Sequence, residues 1–223
     1  MARHEKISIS VIRRLPRYYR FLGDLSRNGV LRISSKELSA RMGLTASQIR
    51  QDLNCFGGFG QQGYGYNVDV LHAEIGSILG ISKIFPAIIV GAGNIGRAIA
   101  MNIGFENMGF KLTGIFDSSP DVIGMEIRGI SVIDVSQLET FCKAHKPKIA
   151  VITVPQQAAP DIVDRLIKLG IESFWNFSHF DIAFNYPGIV VENVHLGDSL
   201  MTLCYMTNNL SALAAHQPQK TEK

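Results

Sequence analysis

The chain has 223 residues, of which 46% are hydrophobic, and a formal net charge of +3. Its apolar runs fall far short of the roughly 18 residues that a membrane helix needs, and no signal-peptide pattern follows Met1, so we expect a soluble, cytoplasmic protein. Cys55, Cys142 and Cys204 are widely separated and form no C-x-x-C pair. This argues against a disulfide framework, and we predict no bound metal.

The positive charge is concentrated at one end of the chain. Residues 1–50 contain eleven Lys and Arg but only three Asp and Glu, whereas residues 81–223 contain eleven basic and thirteen acidic residues. A small basic domain beside a slightly acidic one is typical of a nucleic-acid binder, because phosphate neutralisation supplies much of the non-specific affinity. A solvated basic face with no partner is the alternative interpretation of the charge alone.

Three helices are predicted in the first 55 residues. Apolar residues at three- and four-residue spacing predict a helix over 7–28, which Pro16 should kink or restart. Ser34 and Glu37 form a capping-box pattern for a short helix that ends at Gly43. A second such pattern, Thr45 and Gln48, opens a helix with Ile49 and Leu53 inward and a polar outer face. The two short helices predict a helix-turn-helix.

Residues 57–66 are rich in glycine and aromatic residues, which favours the β-hairpin wing of a winged helix over a flexible linker. A further helical pattern over 69–79 closes a predicted DNA-binding domain of residues 1–80. The chain then alternates strands and helices, which predicts a parallel, Rossmann-like doubly wound sheet over 81–196. The expected strands are 84–90, 111–116, 130–133, 149–154, 173–175 and 189–194, with helices over 94–107, 135–145 and 160–169. A C-terminal helix over 197–213 and a disordered tail over 214–223 complete the predicted organisation.

The motif Gly91-Ala92-Gly93-Asn94-Ile95-Gly96 follows an apolar strand and opens a helix, as a dinucleotide-binding G-x-G-x-x-G requires. The glycines permit a tight turn and close backbone approach, and the helix N-terminus attracts the pyrophosphate. Asp117 ends the next strand, where a carboxylate accepts hydrogen bonds from the adenine ribose and repels a 2′-phosphate. NAD(H) is therefore the expected ligand, while coenzyme A or another adenine nucleotide stays open.

Two further segments end strands at the same edge of the predicted sheet: Thr153-Val154-Pro155 and Asn176-Phe177. Because ligands of doubly wound sheets lie along this edge, we predict that both line the nicotinamide side of the pocket. His179 lies close by in sequence and is interpreted as a structural histidine, since no substrate partner accompanies it. No space for a substrate domain follows the sheet, so we predict no enzyme activity.

The chain resembles the Rex family of redox-sensing repressors over nearly its whole length. The matching segments are Arg14-Leu15-Pro16, 34–38, 49–53, 56–60, Gly65-Tyr66, 91–96, Phe116-Asp117, Val154-Pro155 and Asn176-Phe177. The resemblance implies a homodimer in which NADH and NAD⁺ compete for the Rossmann pocket. It also implies that the C-terminal helix is exchanged between subunits and that NADH favours release of operator DNA.

We therefore expect the helix after Thr45 to lie in the major groove of an inverted-repeat operator, with Ser47, Arg50 and Gln51 nearest the bases. Phosphate contacts are expected from Arg13, Arg14, Arg17, Arg32 and Lys36. The remaining predicted DNA-binding residues are Ser34, Thr45, Gln48, Gln61, Gln62 and Tyr64. Two alternatives stay open: a small NAD-dependent oxidoreductase, and an N-terminal domain that binds protein instead of DNA.

Overall fold

The computed structural model describes residues 7–57, 59 and 64–210, and the chain divides into two compact units at Lys83 and Ile84. Within the described residues, no helix is both long and apolar enough to cross a membrane.

The first unit contains four helices and a two-stranded sheet within its described residues. These elements are α1 (Ile9–Arg27), β1 (Arg32–Ile33), α2 (Ser35–Met42), α3 (Ala46–Asn54), β2 (Tyr66–Asn67) and α4 (Val68–Leu79). Their apolar faces share one core, in which Tyr18, Leu22, Leu38, Ile49 and Ile75 are fully buried. The core fixes α3 so that its opposite face is solvent-exposed.

The two predicted short helices begin at the predicted caps. Ser34 Oγ accepts a hydrogen bond from the Glu37 N–H at 3.1 Å, and Glu37 Oε2 accepts one from the Ser34 N–H at 2.8 Å. This is a complete capping box. Gly43 ends α2 with a φ of 64°, a left-handed conformation that glycine adopts without strain. Thr45 Oγ1 accepts from the Gln48 N–H at 3.1 Å and starts α3.

Two details of this unit were not predicted. α1 continues through Pro16 as one helix, and Pro16 is exposed, so the carbonyl that loses its N–H partner lies on the solvent side. β2 pairs antiparallel with β1, with Ile33 opposite Tyr66, while the predicted hairpin over 57–66 lies largely outside the described residues. The backbones approach closely there, because a Cβ on Gly65 would lie 2.6 Å from the Ile33 carbonyl oxygen.

The second unit is built on a seven-stranded sheet in the order β5-β6-β4-β3-β7-β8-β9. Its strands are β3 (Phe85–Val90), β4 (Phe110–Asp117), β5 (Glu126–Ile127), β6 (Ile130–Asp134), β7 (Ile149–Ile152), β8 (Ser173–Asn176) and β9 (Val190–Asn193). All pairs are parallel except β5 with β6. When the six parallel strands are numbered 1–6 along the chain, their order across the sheet is 3-2-1-4-5-6. This is the strand order of the Rossmann fold, which confirms the predicted fold class.

Helices cover both faces of this sheet. They are α5 (Asn94–Asn102), α6 (Leu138–His145), α7 (Ala159–Lys168) and the short α8 (Ile182–Asn185), and α9 (Leu196–Asn208) follows the last strand without a buried residue. Successive residues of β3 point to opposite faces, so Ile88 and Val90 join the cluster that contains Leu138 and Ile162, while Ile89 joins the α5 cluster. The carboxyl ends of β3, β4 and β7 align, since Val90 lies opposite both Phe116 and Ile152.

Some elements of the second unit were not predicted, namely β5, α8 and a 3-10 helix (Phe105–Met108). The predicted helix 94–107 ends at Asn102, where Ile103 takes an extended conformation. α9 corresponds to the predicted C-terminal helix, while the predicted tail over 214–223 lies outside the described residues.

Candidate dinucleotide site and DNA-binding surface

The glycine turn, residues 91–96, connects β3 to α5 through two positions that admit no side chain. Gly91 has a φ of 106°, and a Cβ there would lie 2.8 Å from the Thr153 carbonyl carbon. A Cβ on Gly96 would lie 1.8 Å from the Gly91 carbonyl oxygen. A Cβ on Gly93, by contrast, would meet no atom within 4 Å. Packing therefore requires the first and third glycines, whereas the second borders open space at the N-terminus of α5.

Asp117, the last residue of β4, stabilises this turn directly. Its Oδ2 accepts a hydrogen bond from the Ala92 N–H at 2.5 Å, and its Oδ1 accepts one from the Ser119 N–H at 2.8 Å. Each carboxylate oxygen has two lone pairs, so the group retains acceptor capacity. Thr153 supports the turn from β7, because its hydroxyl lies 2.7 Å from the Gly91 carbonyl oxygen.

A cavity of about 630 Å³ lies at the carboxyl edge of the sheet, in front of the glycine turn. Most of the residues predicted for the cofactor line it: Gly91, Gly93, Ile95, Asp117, Thr153, Val154, Pro155 and Phe177. Ala92, Asn94, Gly96 and Asn176 are not among its lining residues. Its position, beside the strands where the chain order reverses, is the topological switch point at which doubly wound sheets bind their ligands.

Asn176 holds a loop and does not line the cavity. Its side chain is fully buried, and the amide bonds to Ser178, Phe180 and Asn193. Phe177, the next residue, lines the cavity, whereas the Asn176 amide is used by the loop that follows it.

Sequence reasoning missed Arg165, which lines the cavity from α7. Its guanidinium lies 2.6 Å from Glu139 Oε1 and donates to the Val135 carbonyl at 2.9 Å. The hydrogen bond from Arg165 lowers the pKa of Glu139. No sequence signal indicates this contact, since it depends on where α6 and α7 pack on the sheet.

The predicted base-reading residues Ser47, Arg50 and Gln51 all lie on the exposed face of α3, opposite buried Ile49 and Leu53. Arg50 is supported from α2, because its Nη1 donates to Ser35 Oγ at 3.1 Å. This face can therefore present polar and charged groups to a groove.

Most of the predicted phosphate-binding side chains are also exposed, namely Arg13, Arg17, Arg32 and Lys36, and so is the predicted DNA-binding residue Tyr64. Arg32 donates to the Tyr64 carbonyl at 3.3 Å, and its guanidinium carbon lies 6.0 Å from the centroid of the Tyr64 ring. Ser34 and Thr45 act as helix caps, as described above. Gln61 and Gln62 lie outside the described residues.

Arg14 is in a different environment, because it pairs with a buried carboxylate on α3. Its Nε lies 2.7 Å from Asp52 Oδ2 and its Nη2 lies 2.8 Å from Asp52 Oδ1. Tyr18 Oη and Gln48 Nε2 each donate to the same carboxylate at 2.9 Å. Asp52 lies three residues after Ile49, on the inner face of α3. This spacing was the sequence signal that Asp52 would be buried and would need a partner.

This network determines the ionisation of its members. Burial raises the pKa of Asp52, but hydrogen bonds from Arg14, Gln48 and Tyr18 outweigh that effect and hold the pKa below its ordinary value of 3.8. Burial and the hydrogen bond to Asp52 raise the pKa of Tyr18. Asp52 is therefore a carboxylate at neutral pH and ties α1 to α3.

α9 has no buried residue, although it is strongly apolar. Leu200 is 67% exposed, Tyr205 67% and Leu203 57%. An apolar surface of this extent is typical of an interface. Within the described residues, no group of three His, Cys, Asp or Glu side chains could hold a metal ion.

Two family descriptions match separate parts of the chain. "Putative DNA-binding protein N-terminus" matches residues 6–54, and "CoA binding domain" matches residues 82–180. The chain is 52% identical to a redox-sensing transcriptional repressor Rex from Clostridioides difficile, over 92% of this chain and 98% of that one. It is 50% identical to a Rex repressor from Clostridium beijerinckii, over 93% and 98%. The chain belongs to the Rex family. The expected resemblance is thus confirmed, and these Rex relatives are named as repressors and not as enzymes.

Solved Rex-family structures have the same fold. The structure of the repressor RSP in complex with β-NAD⁺ and operator DNA matches with a TM-score of 0.84 at 47% identity, over 95% of this chain and 99% of that one. The structure of RSP with β-NADH matches with a TM-score of 0.85 at 46% identity, over 95% and 99%.

Proposed function

We propose that this protein is a redox-sensing transcriptional repressor that binds inverted-repeat operator DNA as a homodimer and releases it when NADH rises relative to NAD⁺. The observation that carries the proposal is the presence, in one chain, of a dinucleotide-type cavity and an exposed, basic helix-turn-helix. Rex relatives of about 50% identity support it. An operator-binding repressor shares a compartment with the DNA, so we also propose a cytoplasmic location.

The residues around the glycine turn fit NAD(H). The open space at Gly93 and the free N–H groups at the start of α5 suit a pyrophosphate. Asp117 would accept hydrogen bonds from the adenine ribose, and its charge would disfavour a 2′-phosphate. Val154, Pro155 and Phe177 would contact the nicotinamide end. The backbone of Ala92, Asn94, Ile95 and Gly96 would complete the turn around the phosphates.

DNA recognition is proposed to centre on α3. Arg50 would pair with a guanine edge, with Ser47 and Gln51 beside it. Arg13, Arg17, Arg32 and Lys36 would contact phosphates, which positions the helix without reading sequence. Arg14 would contribute through its ion pair with Asp52, by holding α3 on α1.

α9 is proposed to pack on the partner subunit as an exchanged helix. Its exposed leucines, Tyr205 and methionines would be buried in the dimer. Burial of such a face is favourable at roughly 25 cal/mol for each Å² removed from water.

Switching requires that the dinucleotide bind two dimer arrangements unequally, because equal affinity shifts no equilibrium. NAD⁺ and NADH differ only at the nicotinamide, in charge and planarity, so discrimination would arise at the Val154 to Phe177 end of the cavity. A hundredfold preference corresponds to about 2.7 kcal/mol, which is enough to switch a poised equilibrium.

Gel shifts test the proposal with a duplex that the protein selects from a random inverted-repeat pool. Binding should weaken steeply with salt, by about 0.9 log units per log unit of salt for each neutralised phosphate. Arg50→Ala should abolish the sequence preference. Adding NADH at constant NAD⁺ should release the duplex. Equal release by coenzyme A, or no release by NADH, would contradict the proposal.

A further inference from the structure

A single buried amide connects the cavity to the segment that leads into α9. Asn176 is the last residue of β8, its side chain is 0% exposed, and it precedes a loop that we call the nicotinamide-side loop, residues 177–180. Phe177, Ser178 and His179 of this loop line the cavity. A dinucleotide in the cavity would therefore meet this loop directly.

Every hydrogen-bonding position of the Asn176 amide is used. Oδ1 accepts from the Ser178 N–H at 3.1 Å and from the Ser178 hydroxyl at 2.6 Å. Nδ2 donates to the Phe180 carbonyl at 2.9 Å and to Asn193 Oδ1 at 2.8 Å. Three of these bonds shape the loop, and the fourth leaves it for β9. A fully satisfied buried network of this kind is rigid, because any displacement would leave a polar group unpaired.

Asn193 is the last residue of β9 and lies opposite Asn176 in the parallel register. The Val194 N–H donates to the Asn176 carbonyl at 2.8 Å, and α9 begins at Leu196. A second contact follows the same route, since the rings of His179 and His195 stack with centroids 5.4 Å apart and His195 directly precedes α9. The nicotinamide-side loop and the start of α9 are therefore joined by side chains as well as by the sheet.

We propose that Asn193 is a positioning residue that couples the nicotinamide-side loop to α9 by accepting the hydrogen bond from Asn176. The inference rests on the proposed function, in which the nicotinamide state acts on a dimer held by α9. Asn193 lines no part of the cavity, and its side chain is exposed. Its loss would leave a buried N–H of Asn176 without a partner, so the loop could adopt its nicotinamide-dependent positions without moving β9.

The test is a coupling ratio: the operator Kd at saturating NADH divided by the operator Kd at saturating NAD⁺. Saturation removes any effect of a changed dinucleotide affinity. Asn193→Ala should lower this ratio at least about tenfold while NADH still binds. Asn193→Asp keeps an acceptor oxygen for Asn176 and should retain the ratio within about threefold.

Asn185→Ala is the matched control, because Asn185 is exposed and its amide donates only to the Asp181 carbonyl, at 2.7 Å. It should leave the ratio unchanged. If the alanine variant does not fold, Asn193→Ser takes its place. The serine hydroxyl is too short to replace the amide oxygen, so the same loss of the coupling ratio is expected.

An alanine or serine variant with the wild-type ratio would overturn the inference, and so would an aspartate variant that loses as much as alanine. A wild-type protein whose ratio is close to one would instead refute the proposed function itself. The two failures are therefore distinguishable.

Discussion

Replacing Asp52 by alanine should loosen the attachment of α3 to α1. The carboxylate is 0% exposed and pairs with Arg14, whose side chain is 27% exposed. Removing one partner of a buried pair costs about 3–5 kcal/mol, and partial exposure of Arg14 places the loss near the lower end. The Tyr18 hydroxyl, which is also buried, would lose its acceptor at a cost of about 1–3 kcal/mol. Relaxation lets these losses overlap, so we expect about 3 kcal/mol in total.

Hydrogen exchange measures this loss locally, because the protection of an amide from exchange reports the free energy of the opening that exposes it. A loss of about 3 kcal/mol should accelerate exchange of the protected amides of α1 and α3 by roughly two orders of magnitude. Tyr18→Phe removes only one of the four hydrogen bonds and should cost about 1 kcal/mol.

Asp24→Ala is the control, since Asp24 pairs with Arg27 on the solvent-exposed side of α1 and exposed pairs contribute little. Equal exchange rates in the Asp52 and Asp24 variants would show that the Asp52 network does not hold α3 on α1. The Asp52 variant should also bind the operator more weakly, because α3 carries the proposed base contacts.

Further predictions concern the network, the glycine turn, Asp117 and α9. Because the pKa of Asp52 is lowered in the folded protein, the stability that its carboxylate contributes is present above about pH 3.8 and is lost as the pH falls through the lower folded pKa. Thermal melts should therefore show that the Asp52→Asn variant loses less stability on acidification than the wild type. Gly96→Ala should destabilise the second unit by about 1–3 kcal/mol or more in urea titrations, because its Cβ would clash with the Gly91 carbonyl oxygen. Gly93→Ala should fold normally, because its Cβ would meet no atom, yet calorimetry should show that it binds NADH at least about tenfold more weakly. Asp117→Asn should narrow the preference for NADH over NADPH in the same calorimetric assay, and an unchanged preference would remove Asp117 from its proposed role. Deleting the chain from Leu196 onward should convert a dimer to a monomer in sedimentation velocity, and a dimer that persists would contradict the proposed role of α9.

Local sequence signals predicted the parts of the molecule that local physics determines. The capping residues Ser34 and Thr45 and the left-handed Gly43 specify where α2 and α3 begin and end. The glycine turn was equally predictable, since Gly91 and Gly96 are required by backbone contacts between neighbouring elements. Both cases depend on a few residues whose conformational limits are known in advance.

Non-local contacts were not predictable in this way. The pairing of Ile33 with Tyr66 joins two-residue strands that are too short to show a period. Arg14 was expected to contact phosphate, and its ion pair with Asp52, 38 positions later, was not predicted. Asn176 was placed correctly at the carboxyl end of its strand, opposite Ile152. The partners of its side chain were not predictable, because they depend on how the following loop and β9 pack.

A dinucleotide at the glycine turn should control operator affinity. This control can be measured by fluorescence anisotropy of a labelled operator, at constant total dinucleotide while the NADH fraction increases. Affinity should fall progressively for the wild type, and the response of Gly93→Ala should be much flatter. Identical binding curves at every NADH fraction, with dinucleotide bound throughout, would contradict this control of operator affinity.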